Sequence, residues 1–384
     1  MTEASTEATA AEVPTTRDCP APPSLEAALA NTGWGPPSGL GTSASHIAGG
    51  FAAAEPGYVE REWGNGSHLP LYVPVAERQN DALAEEVNRR LLVWAADCGF
   101  TGEQVELMGR AGFGKLVMLT HVDTEDPDRL LIAAQLNAAW WAADDLYADD
   151  TDQGATPTEL PPRLALVMAA MDPVAPAGEF TLALDEKLRS DPVLLGLGSG
   201  IEHLTRHASP AQVQRVCYST FAMFVSWNAY AAWRYTGAYP PAWEYLAARQ
   251  HDSFYTSMTL IDPVGGYELD AGMYYQPRVR RAITQAGTAA VMLNDLVSVA
   301  KDAADENPVC NMVLQVAADR GCSIADATAI TVELHNNLVR DFEESARSLA
   351  AVPSPQLQRF LRGVRAWMGG GAEWHITNPR YRSV

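Results

Sequence analysis

From about residue 81 to the C-terminus the chain carries apolar residues at helical spacing almost without a break, which restricts it to an all-α fold. Over 81–98, Leu83, Val87, Leu91, Leu92, Trp94 and Ala95 fall at i, i+3 and i+4, the stripe of an amphipathic helix. Similar stretches run over 102–120, 127–148, 201–236, 240–262, 278–304, 309–320, 323–349 and 354–369. Breaks fall at Pro, Gly and Asp clusters: Asp126-Pro127-Asp128, Pro161-Pro162, Tyr239-Pro240-Pro241 and the run from Asp262 to Gly266. Alternating strand patterns are hard to find, and no unit repeats. The expectation is one helical domain over residues 71–384, too long for a simple four-helix bundle. With 47% apolar residues it can bury a sizeable core.

Residues 1–70 differ. They hold eight of the 25 prolines, no lysine and several Gly/Ala/Ser/Thr-rich runs, too little apolar periodicity to offset the entropy of ordering. A disordered extension is expected there. Two pieces inside it, 24–29 (Ser-Leu-Glu-Ala-Ala-Leu) and 34–42 around Trp34 and Leu40, read equally as docking peptides or as stray apolar residues in a linker.

Charge narrows the function. There are 27 Lys+Arg against 47 Asp+Glu, a formal charge of −20. Nucleic acid is therefore excluded as a partner, because phosphate neutralisation needs a basic footprint. Any anionic ligand needs cations placed locally against the general field. Cys19, Cys98, Cys217, Cys310 and Cys322 are scattered and odd in number, which fits neither a disulfide framework nor a zinc site and suits a reducing cytosol. No basic n-region precedes an apolar stretch, and no apolar run is long enough to span a bilayer. A cytoplasmic location is expected.

Two constellations carry chemistry. The first follows Trp140-Trp141-Ala142-Ala143: Asp144, Asp145, Asp149, Asp150 and Asp152 crowd the end of an otherwise apolar helix. Negative charge at a helix C-terminus opposes the macrodipole, so the cluster asks for a cation, and hard carboxylate oxygens suit Mg²⁺. The bland alternative is a solvated acidic junction. The second is Asn294, Ser298 and Asp302, four residues apart among apolar neighbours. At about 100° per residue they form one narrow polar stripe, a three-point oxygen site for a hard cation; a polar helix edge is the plainer reading. Taken together, two such sites on facing helices would bring several Mg²⁺ to one diphosphate.

At these two segments the chain resembles the class I bacterial terpene cyclases. The first segment matches their D-D-x-x-x-D motif, and the second their N-D-x-x-S-x-x-x-E triad, with Asp302 in place of Glu. The resemblance implies an α-helical class I terpene synthase domain holding three Mg²⁺ on Asp144, Asp145, Asp149, Asn294, Ser298 and Asp302. It implies a diphosphate sensor, Arg249, about 45 residues before Asn294, with Lys301 and a closing Arg380-Tyr381 pair as further diphosphate ligands. Asp252 and Ser253 fall on the family's linker and effector positions. Arginine suits the task because its planar fork stays charged and bridges phosphate oxygens. Aromatic faces stabilise carbocations, and Phe113, Trp140, Phe224, Trp227, Tyr230, Tyr255 and Trp374 are the candidates.

Over roughly 70–384 the text is similar to the 2-methylisoborneol synthase branch, as in Phe113–His121 and 262–269. That implies ionisation of 2-methylgeranyl diphosphate, cyclisation and water capture. The branch also implies a Pro/Gly/Ala-rich extension, and some members are cargo of encapsulin-type shells; 34–42 is where docking is expected. A homodimer is expected too. Leu146 stands where His or Cys is common and Val297 where Tyr is common, so an olefin such as 2-methylenebornane is an alternative product. A cyclase of geranyl or farnesyl diphosphate would share every metal residue. A chain-elongating transferase would carry a second Asp-rich motif, and a helical scaffold would not explain two acidic stripes with a matched Arg. His203 and His207, at i and i+4, read as an exposed helix face, and the run Gly196 to Gly200 as a turn.

Overall fold

A computed structural model of the chain describes residues 57–149, 155–237, 239–252, 254–304 and 311–378. Most of the extension expected over 1–70, with both of its candidate docking pieces, lies outside them. Residues 58–70 belong to the folded unit. Strand β1 (Tyr58–Arg61) pairs antiparallel with β2 (Leu71–Pro74), Tyr58 opposite Pro74. Between them the Trp63 indole is buried and donates to the Leu69 carbonyl at 2.9 Å.

The rest is helical, as its periodicity requires. In order come α1 (Asp81–Asp97), α2 (Gly102–Ala111), α3 (Phe113–Thr120) and α4 (Pro127–Ala143). A π-helical turn over Asp144–Asp149 continues α4. Then follow α5 (Leu160–Met171), α6 (Glu179–Ser190), α7 (Pro192–Thr205), α8 (Pro210–Thr236), α9 (Ala242–Arg249), α10 (Phe254–Met258), α11 (Ile261–Val264) and α12 (Ala271–Tyr274). The chain closes with α13 (Pro277–Asp302), α14 (Met312–Arg320), α15 (Ile324–Leu349) and α16 (Pro355–Thr377). Caps explain many starts: Asn80 accepts from the Leu83 N–H, and Ser209 with Gln212 forms a capping box ahead of Pro210.

Several expected helices divide. The stretch 102–120 breaks at Gly112, whose φ of 71° is left-handed. The stretch 201–236 breaks between α7 and α8, where Ser209 caps a new start. Helices α5 and α6 lack a named sequence counterpart. The run Gly196–Gly200 is not a turn: it lies inside α7. A Cβ at Gly196 would stand 3.4 Å from Trp94 and Phe100, and one at Gly200 would stand 2.9 Å from Leu136. The missing Cβ at Gly200 lets α7 lie close on α4.

Two helices are the axis of the bundle. Helix α4 is buried from Leu130 to Ala143 apart from Trp141, and α13 is packed by α10, α14, α15 and α16. A helix buried on all sides cannot be amphipathic, and its few polar side chains therefore stand out. The polar ends of α4 and α13 share one cavity.

Candidate functional site

A cavity of about 190 Å³ opens within the bundle. Asp144, Asp145, Asn294, Ser298, Lys301 and Asp302 line it, together with Arg249 and Asp252. Both acidic segments and the arginine therefore meet in one place. Asp149 closes the π turn, but its side chain, and Ser253, Arg380 and Tyr381, lie outside the described residues.

The π turn begins where α4 reaches the cavity. A single wide turn inside an α-helix changes the register of the side chains that follow it, and such turns recur at functional sites. Here both Asp144 and Asp145 reach the cavity wall, half-buried.

On α13 the three oxygen-bearing side chains stand as the helical wheel requires. Ser298 Oγ donates to Asp302 Oδ2 at 2.6 Å, so the shorter carboxylate is held to its own helix. Asn311, fully buried, donates from Nδ2 to Asp302 Oδ2 at 2.8 Å and to Ser298 Oγ at 3.3 Å. It also donates to the Asp295 carbonyl at 2.8 Å, which ties the start of α14 to α13. Carboxylate, hydroxyl and amide oxygens on two facing helices fit a hard divalent cation, and Mg²⁺ is the cofactor this donor set suits.

Arg249 organises the other wall. It is buried, and Nη2 donates to Asn294 Oδ1 at 3.0 Å and to Asp295 Oδ1 at 2.7 Å, while Nη1 donates to Asp252. Burial alone would lower its pKa, but Asp295, Tyr245 and Asp252 more than offset that and hold the guanidinium charged. Asp295 is itself met by the Tyr245 hydroxyl at 3.0 Å and the Met312 N–H at 2.9 Å. Asp252 is met by the Trp227 indole at 3.3 Å and the Tyr230 hydroxyl at 3.1 Å. The arginine thus connects the triad to the linker segment and the aromatic wall.

His375, which the sequence did not single out, fixes Asn294 from behind. Burial pushes its pKa down to about 4, so the ring is neutral near pH 7. Its Nδ1–H donates to the Gly371 carbonyl at 2.7 Å, leaving Nε2 to accept from Asn294 Nδ2 at 3.3 Å. That turns Asn294 Oδ1 away from the histidine.

Phe113, Trp140, Trp227, Tyr230 and Trp374 line the cavity, together with Trp141 and Phe254. Phe224 and Tyr255 do not. Phe224 sits behind the wall, 5.5 Å from the Trp227 ring and 6.1 Å from that of Phe221. Tyr255 packs against Gly287 of α13 and lies beneath the Arg280 guanidinium. Leu146 and Val297 are also absent from the wall; both pack against the core. Two further polar side chains of the lining pair with each other, the Ser257 hydroxyl donating to Asn137 Oδ1 at 2.7 Å.

Residues 135–341 match the family described as "Terpene synthase family 2, C-terminal metal binding". The chain is 34% identical over 370 residues to 2-methylisoborneol synthase of Streptomyces griseus, covering 93% of this chain and 83% of that one. Its fold is similar to the crystal structure of the Streptomyces coelicolor enzyme of that name with Mg²⁺ and 2-fluoroneryl diphosphate. The TM-score is 0.79 at 34% identity, covering 83% of this chain and 99% of that chain. The same enzyme with Mg²⁺ and geranyl-S-thiolodiphosphate gives a TM-score of 0.74 at 33% identity, over 82% and 97% of the two chains.

Proposed function

The chain belongs to the terpene synthase family, and from that premise we propose that it converts 2-methylgeranyl diphosphate to 2-methylisoborneol with release of diphosphate. The observation that carries the reading is the meeting of two oxygen-ligand segments and a buried, charged arginine at one aromatic-walled cavity. Its support is the relatives of that name. Mg²⁺ is the cofactor, held by Asp144, Asp145 and Asp149 on one side and Asn294, Ser298 and Asp302 on the other, with three ions expected. Bound there, Mg²⁺ neutralises the diphosphate and makes it a better leaving group.

The chain's own residues do the rest. Arg249 and Lys301, with Arg380 and Tyr381, bind the diphosphate oxygens and orient the allylic C–O bond. Loss of diphosphate leaves a carbocation, which the faces of Trp227, Tyr230, Phe113 and Trp374 stabilise through their quadrupoles. The apolar lining keeps bulk water from the cation until ring closure is complete. The Ser257–Asn137 pair can hold the single water that captures the bicyclic cation. Leu146 and Val297 act on product outcome only through packing, since neither reaches the cavity.

Parallel incubations with 2-methylgeranyl, geranyl and farnesyl diphosphates, with volatiles resolved by gas chromatography–mass spectrometry, test this. Expected is 2-methylisoborneol from the methylated substrate, abolished by EDTA and restored by Mg²⁺. An olefin as sole product, or turnover only of geranyl or farnesyl diphosphate, would overturn the named reaction and leave a related cyclase. The segment at 34–42 is proposed for shell docking, and the folded unit as a homodimer. No helix among the described residues is long and apolar enough to cross a membrane.

A further inference from the structure

His203 and His207 do not form the exposed face that their spacing suggested. His203 is buried and His207 half-buried, and both turn toward Asp128, at the start of α4. His203 Nε2 lies 3.7 Å from Asp128 Oδ2, and His207 Nε2 lies 3.9 Å from the same oxygen. The three ligating atoms all fall within 4.8 Å of one another. Around a tetrahedral Zn²⁺ with bonds near 2.0 Å, ligand atoms stand roughly 3.3 Å apart, so a small inward movement closes the set.

A second observation fixes what the histidine offers. His203 Nδ1 lies 2.8 Å from Oε1 of Gln135, itself buried. With Gln135 Oε1 as the acceptor, Nδ1 carries the hydrogen and Nε2 turns its lone pair toward the Asp128 carboxylate. That arrangement leaves a place for a cation between Nε2 and the exposed Asp128 carboxylate, whose other oxygen lies 3.9 Å from the Arg90 guanidinium. Buried metal-ligating histidines are oriented in this way, by an acceptor on the other ring nitrogen.

The geometry points to a second metal site in this chain, a Zn²⁺-class ion bound by Asp128, His203 and His207 with water in the fourth position. Imidazole nitrogens select a borderline metal such as Zn²⁺, whereas Mg²⁺ demands oxygen ligands. The site is separate from the aspartate centre: Asp128 and Asp144 stand at opposite ends of α4, about 24 Å apart at 1.5 Å per residue. A metal there clamps the start of α4 to the end of α7, the two helices that pack side by side through Gly200.

The test uses the full chain, stripped of metal and kept in excess Mg²⁺ so that the oxygen-ligand segments are saturated. Zn²⁺ is titrated against a chromogenic chelator, and Co²⁺ supplies a visible-absorption readout of low-symmetry coordination. Expected are one Zn²⁺ per chain, a rise in melting temperature on Zn²⁺ addition, and visible Co²⁺ bands. His207→Gln and Asp128→Asn should each lose at least about tenfold in affinity, along with the bands and the Zn²⁺-dependent rise. Mg²⁺-dependent cyclase activity should stay unchanged, which separates failure here from failure of the terpene reading. No Zn²⁺ uptake, uptake by cysteines that survives in His207→Gln, or a histidine pair that only gains a proton would each overturn the site.

Discussion

Arg249→Met is expected to cost about 3–5 kcal/mol of stability, the range for removing one partner of a buried ion pair, and to abolish product. The substitution leaves Asp295 and Asp252 buried without their cation, and it frees Asn294 Oδ1 from its fixed position. Against a total folding free energy of about 5–15 kcal/mol, that is a large fraction, so urea denaturation should show a much earlier midpoint. Arg249→Lys should recover part of the stability and little of the activity. One ammonium cannot meet Asp252, Asn294 and Asp295 together as the planar guanidinium does. A methionine variant as stable as the parent would mean that Asp295 and Asp252 do not depend on Arg249.

The second large effect belongs to the triad. Asn294→Ala and Asp302→Ala are each expected to lower kcat by about 10²–10³-fold, the scale for losing one preorganised electrostatic contact to developing charge. A moderate fall in melting temperature should accompany the loss, because Asn294 bonds buried Arg249 and His375 and Asp302 bonds buried Asn311. Asp302→Glu keeps the charge and lengthens the arm, so it should retain most of the turnover while changing the Mg²⁺ concentration needed. Steady-state kinetics at several Mg²⁺ concentrations separate these cases. Asp302→Ala with parental kcat would remove the third member of the triad from the account.

The two oxygen-bearing segments that meet at one cavity were legible in the sequence because polar side chains at helical spacing stand out among apolar neighbours. Asn294, Ser298 and Asp302 could be placed on one face from periodicity alone. Arg249 was found through the family resemblance, and its buried pairing with Asp295 became visible only in the structure. Residues that depend on tertiary approach left no such signal. Asn311 precedes α14 and looks like an ordinary cap, yet it also reaches Ser298 and Asp302. His375 lies 81 residues beyond the asparagine it orients.

The aromatic residues show the same limit. Phe224 and Trp227 lie three residues apart on α8, and a helical wheel places them on nearly the same face; only Trp227 reaches the cavity. The glycines of α7 misled in the opposite direction. Gly196 and Gly200 look like turn residues in isolation, but they lie inside α7, where a Cβ at Gly200 would stand 2.9 Å from Leu136. Backbone approach, unlike ligand spacing, is written across several distant segments at once.

The most direct test of the central claim, ionisation at carbon followed by water capture, is the reaction of 2-methylgeranyl diphosphate with Mg²⁺ in heavy-oxygen water. The account predicts 2-methylisoborneol carrying the heavy oxygen, with unlabelled diphosphate released. An alcohol with ordinary oxygen and label in the released phosphate would show cleavage at phosphorus and contradict it.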